Sequence, residues 1–187
     1  LRRRLRELGE VNTGAAAEYE AVRERYEFMD AQRSDLTEAA DSLGRIIRET
    51  DKKIRSDFQN TFQLIQTHFK TVFSELFGGG TAQLSVRGDD MLEAEIDIIA
   101  QPPGKKLQNM NLLSGGEKTM TAIALMFAVL KAKPAPFCIL DEVEAALDEA
   151  NIERFSAYLE NFRGVQFVLV THQKVTMEHA DALYGVT

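Results

Sequence analysis

Residues 113–132 read Leu-Ser-Gly-Gly-Glu-Lys-Thr-Met-Thr-Ala-Ile-Ala-Leu-Met-Phe-Ala-Val-Leu-Lys-Ala, and residues 137–142 read Phe-Cys-Ile-Leu-Asp-Glu. In the first stretch Met120, Ile123, Ala124, Phe127 and Leu130 recur at helical spacing, and much of the rest is apolar too. That pattern predicts a buried helix from about Gly115 to Lys131. Ser114 is a good N-cap, with Glu117 three residues later as in a capping box. Pro134 and Pro136 end the helix. Phe137–Leu140 is apolar throughout, as expected of a central parallel strand, and it stops abruptly at two acids, Asp141 and Glu142.

Outward from that core, the C-terminal side repeats the alternation. A second helix is expected from about Glu149 to Phe162. A second apolar strand, Gln166–Val170, leads into Thr171-His172, and a short helix and a final strand, Ala182–Val186, follow. Helix-strand-helix-strand order implies a parallel, layered α/β half-domain.

The N-terminal side has a different texture. Residues 15–76 contain no Pro and a single Gly, Gly44. Tyr19, Val22, Tyr26, Met29, Leu36, Ala40, Leu43, Ile47 and Ile54 step by threes and fours, which fits a heptad seam with Arg33 and Thr50 as polar interruptions. Such a stripe is more often core or bundle packing than a free rod. Beyond Ile54 the pattern thickens to Phe58, Phe62, Ile65, Phe69, Val72, Phe73 and Leu76, a helix entering a globular body. Sixty residues is long for one globular helix, so at least one break is expected. The chain is therefore divided into coiled-coil end and neck helices, 1–76, and an α/β lobe, 77–187. Gly78-Gly79-Gly80 reads as a turn, since no Gly-Lys-[Ser/Thr] follows it. A strand around Leu84–Val86, a turn at Gly88-Asp89-Asp90 and a second strand, with Ala94, Ile96 and Ile98 alternating with acids, form a hairpin. Gln101–Leu112 is read as a loop with Lys105 and Lys106 exposed.

Bulk properties narrow the function classes. The chain has 187 residues, 44% hydrophobic and 27% charged, with a net charge of −7. That charge argues against nucleic acid binding over the whole surface, though not against a local basic patch such as Arg2, Arg3, Arg4 and Arg6. One cysteine, Cys138, excludes an internal disulfide and points to a reducing compartment and a small core residue. No apolar run of 18 residues and no signal-like segment is present. A start at Leu1 rather than Met suggests an excised piece.

Three places carry chemistry. A helix start at Ser114-Gly115-Gly116 offers free N–H groups and a positive dipole end to an anion such as a terminal phosphate, although a capped helix uses the same residues. Asp141 and Glu142 sit at the carboxyl edge of a strand, where α/β folds place ligands. Asp141 suits the carboxylate that helps hold Mg²⁺, and Glu142 is placed to orient or deprotonate an attacking water. His172 ends a second apolar strand and reaches the same edge if the two strands are neighbours. His68 and His179 have no such setting and read as ordinary helical residues. No Gly-x-x-x-x-Gly-Lys-[Ser/Thr] phosphate loop occurs anywhere in the chain.

Taken in order, Leu113–Lys118 and Phe137–Asn151, which continues Val-Glu-Ala-Ala-Leu-Asp-Glu-Ala-Asn after the acid pair, resemble the C-terminal lobe of an ABC-type ATPase head. More narrowly they resemble the bacterial branch of the SMC chromosome-maintenance family, with Phe77–Gly80, Ala100–Leu112 and Ala180–Thr187 agreeing. The resemblance implies a chain that supplies the C-terminal segment of the head, with the phosphate loop on an N-terminal segment far away in sequence. By similarity Ser114, Gly115 and Gly116, with Glu117 beside them, would contact ATP held by a second head. Asp141 would support Mg²⁺, Glu142 would act as general base, Asp148 would lie in the loop crossing the head–head interface, and His172 would be the switch histidine. The implied partners are the N-terminal head segment, a second SMC head, the C-terminal winged-helix domain of a kleisin subunit of the ScpA type, and DNA in the full complex, with no membrane. The implied setting is the cytoplasm, at the nucleoid. The sequence departs from the family pattern at Glu144, where many relatives carry Asp, and at Gln173-Lys174-Val175 after His172. Two other readings stay open: the head lobe of another rod-bearing ABC ATPase of DNA repair, and a non-catalytic module that docks a partner. A transporter ATPase fits less well, given the helical arm.

Overall fold

Why residues 15–77 form one helix follows from what they lack. In the computed structural model, which describes residues 14–88, 90, 92–162 and 164–185, α1 runs Ala15–Phe77 as a single helix of 63 residues. The expected break is absent. There is no Pro to force one, and Gly44 alone costs only about 1 kcal/mol. The chain divides into two compact units, 1–54 and 55–187. In the first, Arg23 pairs with Glu20 and Glu27, and Arg33 with Asp30, at i,i+3 and i,i+4 spacing. The seam residues Tyr19, Val22, Tyr26, Met29, Leu36, Leu43 and Ile47 are exposed, so within this unit they form no core. The arginine run at 2–6 lies outside the described residues.

The second unit opens where α1 turns apolar. Phe69, Val72, Phe73 and Leu76 are buried on that helix. Gly78, Gly79 and Gly80 end it, all at positive φ. Gly80 is irreplaceable on geometry, because a Cβ there would lie 2.3 Å from the Gln101 carbonyl oxygen. Strands β1 (Thr81–Arg87) and β2 (Glu95–Gln101) then pair antiparallel, and Gln66 Nε2 donates to the Leu84 carbonyl at 2.8 Å. The hairpin is longer than its apolar pattern suggested. At its turn end Arg55 grips Asp90 through two hydrogen bonds of 2.6 and 2.9 Å, which lower the Asp90 carboxyl to about pKa 2. Asp89 of the expected turn lies outside the described residues. The segment 101–112 is not the plain loop expected: Gln108–Asn109 adds β3 to β2, and Met110–Leu112 forms a turn of 3₁₀ helix with the Asn109 side chain capping it.

The rest is α2 (Gly115–Ala132), β4 (Phe137–Asp141), α3 (Glu149–Leu159), β5 (Gln166–Val170) and α4 (Lys174–Glu178). Strands β4 and β5 pair parallel, Phe137 opposite Gln166 and Asp141 opposite Val170, with α3 as the crossover. The register puts Cys138, Leu140, Phe167 and Leu169 on one face, packed against the core. Burial raises the pKa of the Cys138 thiol, as suits a small core residue. The core joins α1, the β1–β2 hairpin, α2 and α3 around Phe127, whose ring meets Phe155, Tyr158, Phe162 and Phe167 at centroid distances of 5.0–6.4 Å.

Two details depart from expectation. The strand expected at Ala182–Val186 is not formed over 182–185, where Leu183 and Tyr184 stand exposed; Val186 lies outside the described residues. A strand exists only with a ladder partner, and these residues have none within the described chain. His179 is not an ordinary helical residue. It caps α4 and places its ring nitrogens 2.9 Å from Glu160 and 3.4 Å from Glu153, tying α4 to α3. The hydrogen bond to Glu160, then the charge of Glu153, raises its pKa despite partial desolvation.

A polar clasp locks α1 to α2 and α3. Tyr158, 6% exposed, donates to Glu75 at 2.6 Å and accepts from Lys131 at 2.8 Å. Burial and the neighbouring Glu75 carboxylate push the phenol pKa well above its ordinary value. Tyr158→Phe should therefore cost about 1 kcal/mol, since Glu75 and Lys131 both remain partly in solvent. Thermal unfolding of the chain should show a midpoint lower by roughly 2–4 °C, and an unchanged midpoint would contradict the clasp.

Candidate functional site

Ser114 has the extended backbone of an N-cap, with φ −65° and ψ 163°. Its N–H and its hydroxyl both donate to Glu117 Oε2, at 3.1 and 2.7 Å. Lys105, exposed as expected, reaches the same oxygen at 2.9 Å. The Lys105 bond, then the Ser114 hydroxyl, lowers the Glu117 pKa against a smaller desolvation effect. This carboxylate already holds an anion's place at the start of α2, where N–H groups and the helix dipole favour negative charge. An anion bound there would have to displace Glu117 from Ser114. Gly116 lies close to the Ala146 carbonyl, since a Cβ there would come within 3.3 Å of it. The start of α2 therefore abuts the 143–148 loop.

That loop begins at the acid pair. Asp141 and Glu142 are both exposed at the carboxyl end of β4. Glu142 takes φ 47°, the one non-glycine residue at positive φ among the described residues. A side chain in that left-handed region costs about 1–2 kcal/mol, a strain that tends to occur where function needs it. Its N–H donates to the Val170 carbonyl at 2.9 Å, linking the end of β4 to the end of β5. His172 lies beyond that link, and its Nδ1 stands 3.7 Å from Glu142 Oε1. The strands are neighbours, and the acid and the histidine do share one edge. Gln173 Nε2 sits 3.4 Å from His172 Nε2. Asp148 accepts from the Asn151 N–H at 2.9 Å as the N-cap of α3.

One face of the β4–β5 sheet is uncovered among the described residues. The face opposite the core carries Phe137, Ile139, Val168 and Val170, which are 58%, 63%, 46% and 52% exposed, and Asp141 belongs to that same face. Parallel strands are ordinarily covered on both faces. Among the described residues no group of three or more His, Cys, Asp or Glu could by itself hold a metal ion. The donor chemistry nonetheless fits Mg²⁺, which takes one or two carboxylates and completes its shell with water and phosphate oxygens. No described helix is long and apolar enough to cross a membrane.

Residues 24–187 match the family described as RecF/RecN/SMC N terminal domain. The chain belongs to the RecF/RecN/SMC family. Within it, the chain is 55% identical over 185 residues to the chromosome partition protein Smc of Bacillus subtilis, covering 98% of this chain and 16% of that protein. It is 51% identical over 189 residues to the Smc of Lactiplantibacillus plantarum, covering 100% of this chain and again 16% of the relative. The Smc head domain with coiled coil and joint from Pyrococcus yayanosii superposes with TM-score 0.76 at 34% identity, over 96% of this chain and 35% of that one. A Pyrococcus furiosus Smc head with an extended coiled coil, bound to the C-terminal domain of ScpA, superposes with TM-score 0.72 at 36% identity, over 88% of this chain and 42% of that one. The α/β fold with its parallel strands is thus that of SMC ATPase heads, and the chain spans about one sixth of the curated SMC relatives it matches.

Proposed function

We propose that this segment of an SMC protein is the C-terminal half of an ATPase head, which completes an ATP site rather than forming one alone. The open apolar face of β4–β5 carries this reading: it needs a covering layer, and Asp141 points the acid edge toward whatever supplies it. The absence of a Gly-x-x-x-x-Gly-Lys-[Ser/Thr] loop from all 187 residues says what that layer should bring. The matching family is described by its N terminal domain; the motif content of this chain favours the other half of the head.

In this reading coiled-coil end and neck helices occupy 1–76 and the head lobe 77–187. Asp141 would hold Mg²⁺, which would supply charge neutralisation on the phosphates. Glu142 accepts a proton from the attacking water. His172, 3.7 Å away, contacts the terminal phosphate and senses its loss. Ser114, Gly115 and Gly116 take the phosphate of ATP bound to a second head, with Glu117 released from Ser114, and Asp148 lies in the loop that crosses between the two heads. The outcome is ATP-gated head engagement in chromosome partition in the cytoplasm, at the nucleoid. The ScpA-bound relative supports a kleisin of that type as a partner, and DNA belongs to the full complex.

Chain 1–187 alone should show no ATP turnover above background. Co-expression with a polypeptide bearing the phosphate loop should restore it, with the two co-purifying. Turnover by the chain alone would sink the proposal.

A further inference from the structure

Glu144 is 1% exposed, yet it sits two residues from the exposed Glu142. Burying a carboxyl group is costly unless it is hydrogen-bonded. Among the described residues its side-chain partners are two hydroxyls rather than a cation. The Thr171 hydroxyl donates to Oε1, and the Thr176 hydroxyl reaches the same oxygen at 3.3 Å. Thr171 in turn accepts from the Gln173 N–H at 3.0 Å. The Glu144 carbonyl accepts from the Leu147 N–H at 2.9 Å, which folds the loop toward Asp148.

These bonds form a zipper between two segments. Glu142 N–H holds the Val170 carbonyl, and Glu144 holds Thr171 on the near side of His172 and Thr176 on the far side, within α4. His172 is thereby fastened at both flanks against the segment that carries Glu142. If packing alone were needed, an apolar residue of similar volume would serve at less cost. We infer that Glu144 is a positioning residue that fixes the spacing between Glu142 and His172 through Thr171 and Thr176. The inference rests on the roles proposed above for those two residues.

The experiment uses the full-length protein and reads ATP turnover. Glu144→Ala should lower kcat by about tenfold or more while KM for ATP stays within about twofold, the pattern of a lost transition-state arrangement. Glu144→Gln keeps the volume and the acceptor and should recover turnover to within about threefold. Thr171→Val, nearly isosteric and leaving the core filled, should reproduce the loss if Glu144→Ala fails to fold. In a His172→Ala background Glu144→Ala should cost less than about twofold more, because residues acting through one unit are not additive. Wild-type turnover in Thr171→Val, or a full additional loss in the His172→Ala background, overturns the inference. A parallel Glu142→Gln measurement separates the layers. If Glu142→Gln is active, the proposed role of Glu142 as base fails; if it is inactive while Thr171→Val is normal, only the positioning role fails.

Discussion

Glu142→Gln in the full-length protein should depress ATP hydrolysis by about two to four orders of magnitude while ATP still binds. The amide keeps the size and one acceptor oxygen but cannot take a proton. The backbone argument predicts that folding survives: the φ of 47° is imposed by the link to the Val170 carbonyl, which uses the main-chain N–H and not the side chain. The strain is therefore present in both proteins and cancels. Nucleotide binding measured beside single-turnover hydrolysis checks the claim. Unaltered turnover would remove Glu142 from the role of base, and loss of ATP binding would make it a ligand instead.

Phe127→Ala should be the most damaging core substitution, costing about 3–5 kcal/mol. Its ring is fully buried and is the one that touches α3, the turn at Phe162 and β5 together. Removal leaves a cavity that three different elements must collapse to fill, and aromatic pairs add to the area lost. A domain of ordinary stability has about 5–15 kcal/mol to lose, so the variant should sit near unfolding. Urea titration should show the midpoint falling with little change in slope. A loss below about 1 kcal/mol would mean that the ring cluster is not the core's centre.

How much of this was legible beforehand follows from the kind of signal each feature leaves. The α2–β4–α3–β5 alternation was readable because burial writes itself as apolar runs, and the abrupt acids at 141–142 and the histidine at 172 mark a strand edge without any structure. Glu144 was not readable. A buried acid bound by hydroxyls from Thr171 and Thr176 looks, in sequence, like one more charge after an acid pair. Besides its departure from the family's Asp, the available signal was its setting among Val143, Ala145, Ala146 and Leu147. The pairings of Lys105 and Tyr158 were hidden for the same reason, since their partners Glu117 and Glu75 lie 12 and 83 residues away. Helix length was misjudged because breaks were inferred from typical lengths rather than from a residue able to cause one. The final strand was misjudged because residues 182–185 carry a strand's composition without a strand's neighbour.

The uncovered sheet face also bears on how such a protein is made. Phe137, Ile139, Val168 and Val170 lie on adjacent strands whose outer edges are unpaired among the described residues, a template that invites like chains to add to it. If the covering layer is the N-terminal segment proposed above, it leaves the ribosome first, and this ribbon stays open only between its own emergence and docking. A chaperone that shields apolar strands would act in that interval.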